Sequence, residues 1–249
     1  MVAEWLAAGR FQPRCDAWMR SYDRDFSKAM AERGWIGITW PADYGGAGRS
    51  NLARLVVTEE MLRVGAPVTA HWIADRQIGP AILRYGTEDL KAEFLPRIAA
   101  GELTFCLGMS EPEAGSDLAA VSTAAVQVDG GWRITGAKVW TGQAHRADYA
   151  YVLARTDSTC PKHEGLTEFI VDMTSPGVST EPLYHLNGEH VFNRFILDEV
   201  FVPDQRVIGT VGNGWKQVTA QLAYERGGVE RFLSTYPLVQ VMVAESSRG

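Results

Sequence analysis

Cysteine is scarce: Cys15, Cys106 and Cys160 are too far apart, and odd in number, for a disulfide framework or a zinc site. A reducing cytoplasm is the expected setting. No apolar run approaches the roughly 20 residues that a membrane-spanning helix requires. The N-terminal MVAEWLAAGRFQPR has no charged segment ahead of its short apolar stretch. The expectation is a soluble protein without a targeting peptide or membrane attachment. A basic run is also missing, and the formal net charge is −6, so the broad positive footprint of a nucleic-acid-binding protein is excluded. An anionic ligand must be held locally. There is no internal repeat and no low-complexity tract.

Hydrophobic residues make up 46% of the chain and charged residues 22%, enough for a substantial core. A length of 249 residues favours more than one domain. Residues 1–102 read as helical, with Trp18, Tyr22, Phe26 and Met30 recurring every four positions and Gly34 closing that helix. GWIGITWPADYGGAGRS is an extended connection, and helix resumes near Leu52. Thr87 is the expected N-cap of a helix burying Leu90, Phe94, Leu95 and Ile98, with Pro96 kinking or shortening it.

From residue 103 the pattern alternates, with a hairpin turn at Asp129, Gly130 and Gly131 and a strand end at Pro203. Residues 103–212 therefore form an antiparallel β-domain. A helical stripe returns through Trp215, Val218, Leu222, Val229 and Leu233, so 213–249 opens a further helical domain. The fold class is α+β, with segregated elements and no alternating βα units.

The densest chemistry lies in Leu107-Gly108-Met109-Ser110-Glu111-Pro112-Glu113-Ala114-Gly115-Ser116-Asp117-Leu118. Such a loop presents N–H groups and hydroxyls to an anionic or heteroaromatic ligand, or serves as a tight interdomain turn. Glu225 and Arg226 fall at the edge of the last apolar stripe. A carboxylate there is either a general base whose pKa is raised by apolar surroundings or an ion-paired residue at the rim. HWIADRQIGP places His71, Trp72, Asp75, Arg76 and Gln77 on a helix, with His71 either structural or lining an acyl pocket.

SEPEAGSDL is similar to the TEPGAGSD signature of acyl-CoA dehydrogenases, and KVWTG, beginning at Lys138, resembles that family's K-x-W-I-T-N element. GWIGITWPADYGGAGRS and VFVPDQRVIGTVGNGWKQV resemble its glycine-rich N-terminal segment and its last β-strand leading into a helix. The resemblance implies an acyl-CoA dehydrogenase-like fold that holds FAD between the β-domain and the helices. Carried over by position, Leu107 and Met109 would offer backbone groups to the flavin ring and Ser110 would meet its N5 region. Gly115 and Ser116 would approach the pyrophosphate or the bound thioester, and Trp140 would pack on the isoalloxazine rather than serve only hairpin packing. Where the family commonly has a flavin-contacting threonine this chain has Gly142, with Thr141 as a substitute in a different register. Glu225 matches the base of the isovaleryl and long-chain branches, and Arg226 the arginine beside it that helps bind CoA.

The implied reaction is α,β-dehydrogenation of an acyl-CoA to a 2-enoyl-CoA, Glu225 removing the α-proton, with an electron-transfer flavoprotein as acceptor and a homo- or hetero-oligomeric assembly. The E-R-G-G helix and HWIADRQ resemble heteromeric enzymes of actinobacterial steroid catabolism, which points to a bulky, steroid-derived acyl group. An oxidase on the same fold and a non-catalytic subunit of a heteromeric enzyme are the competing readings. The family's second helical half does not follow residue 249, so a truncated chain, a partner that supplies it, or a degenerate chain are all open.

Overall fold

A computed structural model describes residues 1–226 and 228–247, the side chains of residues 224–226 excepted. Its N-terminal part holds α1 (Val2–Ala7), α2 (Ala17–Arg20), α3 (Arg24–Ala31), α4 (Asn51–Arg63), α5 (Thr69–Ile73), α6 (Gly79–Tyr85) and α7 (Glu88–Ala99), with one π-helical turn, Ala74–Ile78, joining α5 to α6. The four-residue recurrence from Trp18 to Met30 does not run along one helix. The Asp23 carboxylate accepts the Phe26 N–H at 2.9 Å and starts α3 afresh, because a capping carboxylate competes with helix continuation. Phe26 and Met30 then enter a core with Trp5, Phe11, Ile36 and Met61, while Trp18 is only partly buried.

Thr87 caps α7 through the Leu90 N–H at 3.3 Å, and Leu90, Phe94, Leu95 and Ile98 are buried, as the pattern predicts. The helix runs through Pro96 to Ala99; the buried stripe on both sides of the proline holds the turn that its missing N–H weakens. In the glycine-rich connection, Trp40 is buried, and its indole occupies the space a side chain at Gly79 would need.

The middle domain is one eight-stranded sheet: β1 (Phe105–Gly108), β2 (Ala124–Val128), β3 (Gly131–Gly142), β4 (Tyr149–Arg155), β5 (Leu166–Asp172), β6 (Val178–Tyr184), β7 (His190–Pro203) and β8 (Val207–Ile208). The order is β6-β7-β3-β2-β4-β5-β8. The β2–β3 hairpin turns at Asp129 and Gly130, the latter at φ +72°, and β7 ends at Pro203. The sheet is not wholly antiparallel. β1 leaves the helices running parallel to β4, from Phe105↔Tyr149 to Gly108↔Val152, and β2 meets β4 in parallel only at Ala124↔Arg155. The two strands thus lie in tandem along β4, with a gap between them.

Helix α8 (Gly214–Arg226) follows, then α9 (Glu230–Leu233) and α10 (Tyr236–Ser246). The expected continuous stripe breaks, because Val229 is the N-cap of α9 rather than a further turn of α8; glycine at 228 is a poor helix former. Glu230, whose phase places it off the stripe, is buried. No helix among the described residues is long and apolar enough to cross a membrane.

One buried acid ties α8 to the sheet. Glu168 on β5 is fully buried, and its Oε2 accepts the Tyr151 hydroxyl at 2.7 Å and the Gln217 Nε2 at 2.8 Å, while Gln217 also donates to the Ile208 carbonyl at 2.9 Å. Burial pushes the Glu168 carboxyl up from 4.5 to about 7 against those two hydrogen bonds. The folded chain therefore keeps a proton that the unfolded chain has lost, and this contribution to stability, full at acid pH, declines as pH rises to about 7. We expect wild type to lose about 3 kcal/mol relative to Glu168→Gln between pH 4.5 and 7.5. Urea unfolding across that range measures it; a constant difference between the two proteins refutes it.

Candidate active site

Residues 109–123 connect β1 to β2 and fill the gap between β3 and β4. The side chain beneath them is Lys138. Its phase on β3 follows Trp132, Ile134 and Gly136 inward, and it is fully buried. Its ammonium donates to the Met109 carbonyl at 3.1 Å, the Leu153 carbonyl at 2.7 Å and Glu111 Oε1 at 2.8 Å. Leu153 lies in the stretch of β4 between its pairings with β1 and β2. Glu111 in turn accepts from the Ser122 N–H at 2.7 Å, the Ser122 hydroxyl at 2.8 Å and the Thr123 N–H at 2.9 Å. Burial raises the Glu111 carboxyl, but the Lys138 charge and these donors overcome it and hold the group down to about 2. Burial likewise lowers the Lys138 ammonium while Glu111 pulls it back up. The loop is thereby fastened at its start and its end, with the Ser110 carbonyl also accepting the Val139 N–H at 2.8 Å.

Two residues beyond Lys138 the β3–β7 register shifts, and Trp140 adopts φ +58°. A left-handed conformation is costly for a bulky side chain and persists only where its surroundings enforce it. The result is an indole 64% exposed, edge-on to Phe192 at 6.1 Å. It faces a cavity of about 280 Å³ between sheet and helices. Phe105, Leu107, Trp140, Gly142, Gln143 and Phe192 form the sheet wall, and Trp18, Tyr22, Thr69, Trp72, Ile73 and Gln77 the helical wall, with Arg231 at its edge. Arg231 lies over the Trp18 ring at 5.2 Å. A groove of about 830 Å³ lined by Ser122, Arg155, Asp157 and Glu164 contains none of the predicted site residues.

The predicted residues divide between places. Leu107 and Trp140 line the cavity. Met109 packs between two cores, and its carbonyl is taken by Lys138, leaving only its N–H to offer. Ser110 is half-buried at the shoulder of the loop, whereas Gly115 and Ser116 are exposed on its outer side, where a side chain at Gly115 would meet nothing within 4 Å. Thr141 is fully buried, pairs with Asn193 and does not line the cavity; Gly142 does. The Glu225 and Arg226 side chains lie outside the described residues, although their helix is placed. His71 is not pocket lining: it is buried with Nδ1 at 2.8 Å from the Ser27 hydroxyl, and burial lowers it to about 4. Trp72 and Gln77 from the same segment do reach the cavity. The chief residues missed were Glu111 and Lys138, and the signal was a lysine in the apolar phase of an alternating strand.

A slot walled by an exposed indole, Leu107 and Phe105, opening where Gly142 adds no side chain, fits a flat heteroaromatic ring such as a flavin. Comparison with known proteins gives the family. Residues 1–102 match the model of the acyl-CoA dehydrogenase N-terminal domain and residues 106–200 that of its middle domain. FadE34, an acyl-CoA dehydrogenase of Mycobacterium tuberculosis, is 45% identical over 202 residues, which are 80% of this chain and 28% of FadE34. Among solved structures, a variant of the Tcur3481-Tcur3483 steroid ACAD superposes with a TM-score of 0.88 at 33% identity, covering 99% of this chain and 67% of that one. The ChsE4-ChsE5 complex from Mycobacterium tuberculosis gives 0.75 at 38% identity, over 81% of this chain and 51% of that one. The chain belongs to the acyl-CoA dehydrogenase family, and it spans 28% of the first of these relatives and about half to two thirds of the others.

Removing one member of a buried ion pair strands the other, at a cost of about 3–5 kcal/mol. Lys138→Met is expected to lose about that much stability, and Lys138→Met with Glu111→Leu less than the sum of the two single changes. Urea titration of the four proteins gives the cycle; additive losses would show that the pair does not act as a unit.

Proposed function

We propose that this chain forms the flavin- and acyl-binding walls of an FAD-dependent enzyme that converts an acyl-CoA thioester to its 2-enoyl-CoA, with a bulky, steroid-derived acyl group as substrate. The observation that carries the reading is Trp140, held in a left-handed bulge with its indole exposed to the cavity. Packing alone gives no reason for either cost. The Tcur3481-Tcur3483 protein, a steroid ACAD, supports the substrate class.

Bound flavin supplies the two-electron acceptor. Leu107, Met109, Ser110 and Trp140 would hold its ring, Gly115 and Ser116 its pyrophosphate or the CoA thioester, and Arg226 the CoA; Thr141, buried against Asn193, is not offered to it. Glu225, as base, receives the α-proton on a carboxylate oxygen, which requires that α8 keep a fixed distance from the sheet. Gln217, two helical turns before Glu225, supplies that constraint through Glu168. The aromatic walls exclude water from the reacting carbons. An electron-transfer flavoprotein is the proposed acceptor from the enzyme, in a soluble cytoplasmic assembly.

A second reading, a partner subunit in a heteromeric enzyme, draws on two observations. Gly142 stands where the family commonly has threonine, and α10 exposes Leu238, Val241, Met242 and Val243.

The deciding measurement is the visible absorption spectrum of the purified chain before and after addition of an acyl-CoA. A flavin band that bleaches, and bleaches about 100-fold or more slowly in Glu225→Gln, is the expected result. A protein that remains colourless with added FAD would count against a catalytic chain and for the partner-subunit reading.

A further inference from the structure

The helical wall of the cavity carries a side-chain amide that no hydrogen bond among the described residues engages. On the π-helical turn, Asp75 accepts the Gly37 N–H at 2.7 Å and pairs with Arg76 Nε at 3.0 Å. Arg76 donates to the Thr58 hydroxyl at 2.7 Å and lies over the Trp72 ring at 4.7 Å. The next residue, Gln77, is 5% exposed and lines the cavity, and no hydrogen bond joins its side chain to any described residue. Its surroundings there are Trp18, Trp72, Ile73 and Phe105. Gln77 also borders a narrow cleft with Pro80, Arg84 and Gln221, and its amide atoms remain accessible from the space beside them. A π-turn loses regular helical hydrogen bonding, and such turns recur at functional sites. Gln143, the other glutamine of the cavity, has its amide nitrogen on the Met19 carbonyl at 3.0 Å, so only its oxygen is free. Gln77 keeps both a donor and an acceptor.

We infer that Gln77 determines specificity: its side-chain amide hydrogen-bonds a hydroxyl or carbonyl oxygen on the acyl group, remote from the thioester. The inference rests on the proposed function, with the flavin ring on the Trp140 side of the cavity and the acyl group on the helical side of that ring. Gln77 stands on the helical wall and Trp140 on the sheet wall, so an acyl group held between the flavin and the helices turns part of its length toward Gln77. An amide can donate to a ketone or accept from an alcohol, so the site selects oxygenated acyl groups over hydrocarbon ones of equal shape.

The test uses two matched pairs of CoA thioesters, dodecanoyl with 12-hydroxydodecanoyl and 5β-cholanoyl with its 3-hydroxy derivative. Their dissociation constants are read from the emission of the cavity tryptophans in wild type and Gln77→Met, a substitution of similar length. In at least one pair the hydroxylated thioester is expected to bind wild type about tenfold more tightly, and Gln77→Met to reduce that preference to below about threefold. Equal binding within both pairs by wild type overturns the role of Gln77 while leaving the acyl site in place, and it does so whether or not the variant folds. A wild-type preference that survives in Gln77→Met overturns it as well. If no thioester alters the emission, the assignment of the cavity falls, and the inference falls with it.

Discussion

The ammonium of Lys138 occupies a gap in the sheet where two strands on one edge of β4 do not meet. Strands β1 and β2 share an edge of β4 without meeting, and the chain between them has to cross a gap lined by carbonyls. A cation with three donors satisfies two of those carbonyls and brings in the Glu111 carboxylate, which then fixes Ser122 and Thr123 at the far end of the loop. The loop's exposed portion, Gly115 and Ser116, needs no internal contacts because its two feet are held. The same strand carries Trp140 two residues on, so the anchor of the loop and the wall of the cavity are set by one piece of backbone.

Two buried carboxyls, Glu111 and Glu168, show how the partner decides the charge state. Each is withdrawn from water, which alone raises a carboxyl. Glu111 has a cation and three N–H or O–H donors, and it stays ionised. Glu168 has only a phenol and an amide, and it is pushed up to about 7. The ionised pair fixes the loop to the sheet; the acid held close to neutrality fixes α8. The loop and α8 are therefore tied to the sheet by electrostatics of different kinds, and the α8 tie weakens as pH rises to about 7.

Much of the architecture could be read from local chemistry. The Thr87 cap, the hairpin at Asp129 and Gly130, the strand end at Pro203 and the three-part division are each dictated by a few neighbouring residues. What could not be read depended on competition or on distant partners. The recurrence from Trp18 to Met30 looked like one helix because its spacing ignores Asp23, whose carboxylate takes the Phe26 N–H. His71 stayed open between a structural role and pocket lining because nothing near it in sequence announces Ser27. The loop stood out by its density of Gly, Ser, Pro and acids, and its flavin role and that of Trp140 came through resemblance, whereas Lys138 and Glu111 were missed although a lysine in the inward phase after Trp132, Ile134 and Gly136 has to find a buried acid.

The cavity is best understood by asking where the fold stops satisfying its own rules. Around it several polar groups are engaged: Tyr22 donates to the Arg146 carbonyl, the Trp18 indole N–H to Ser234, and the Gln143 amide to the Met19 carbonyl. Against that background, a tryptophan with left-handed backbone and exposed indole and a glutamine with an idle amide lie on facing walls. A relaxed turn at 140 would avoid a left-handed backbone, and the amide at 77 has no partner within the described residues. Under the proposed function ligands complete the site, a flavin stacking on one wall and an acyl group hydrogen-bonding on the other, and affinity then follows the shape and the oxygen content of what enters.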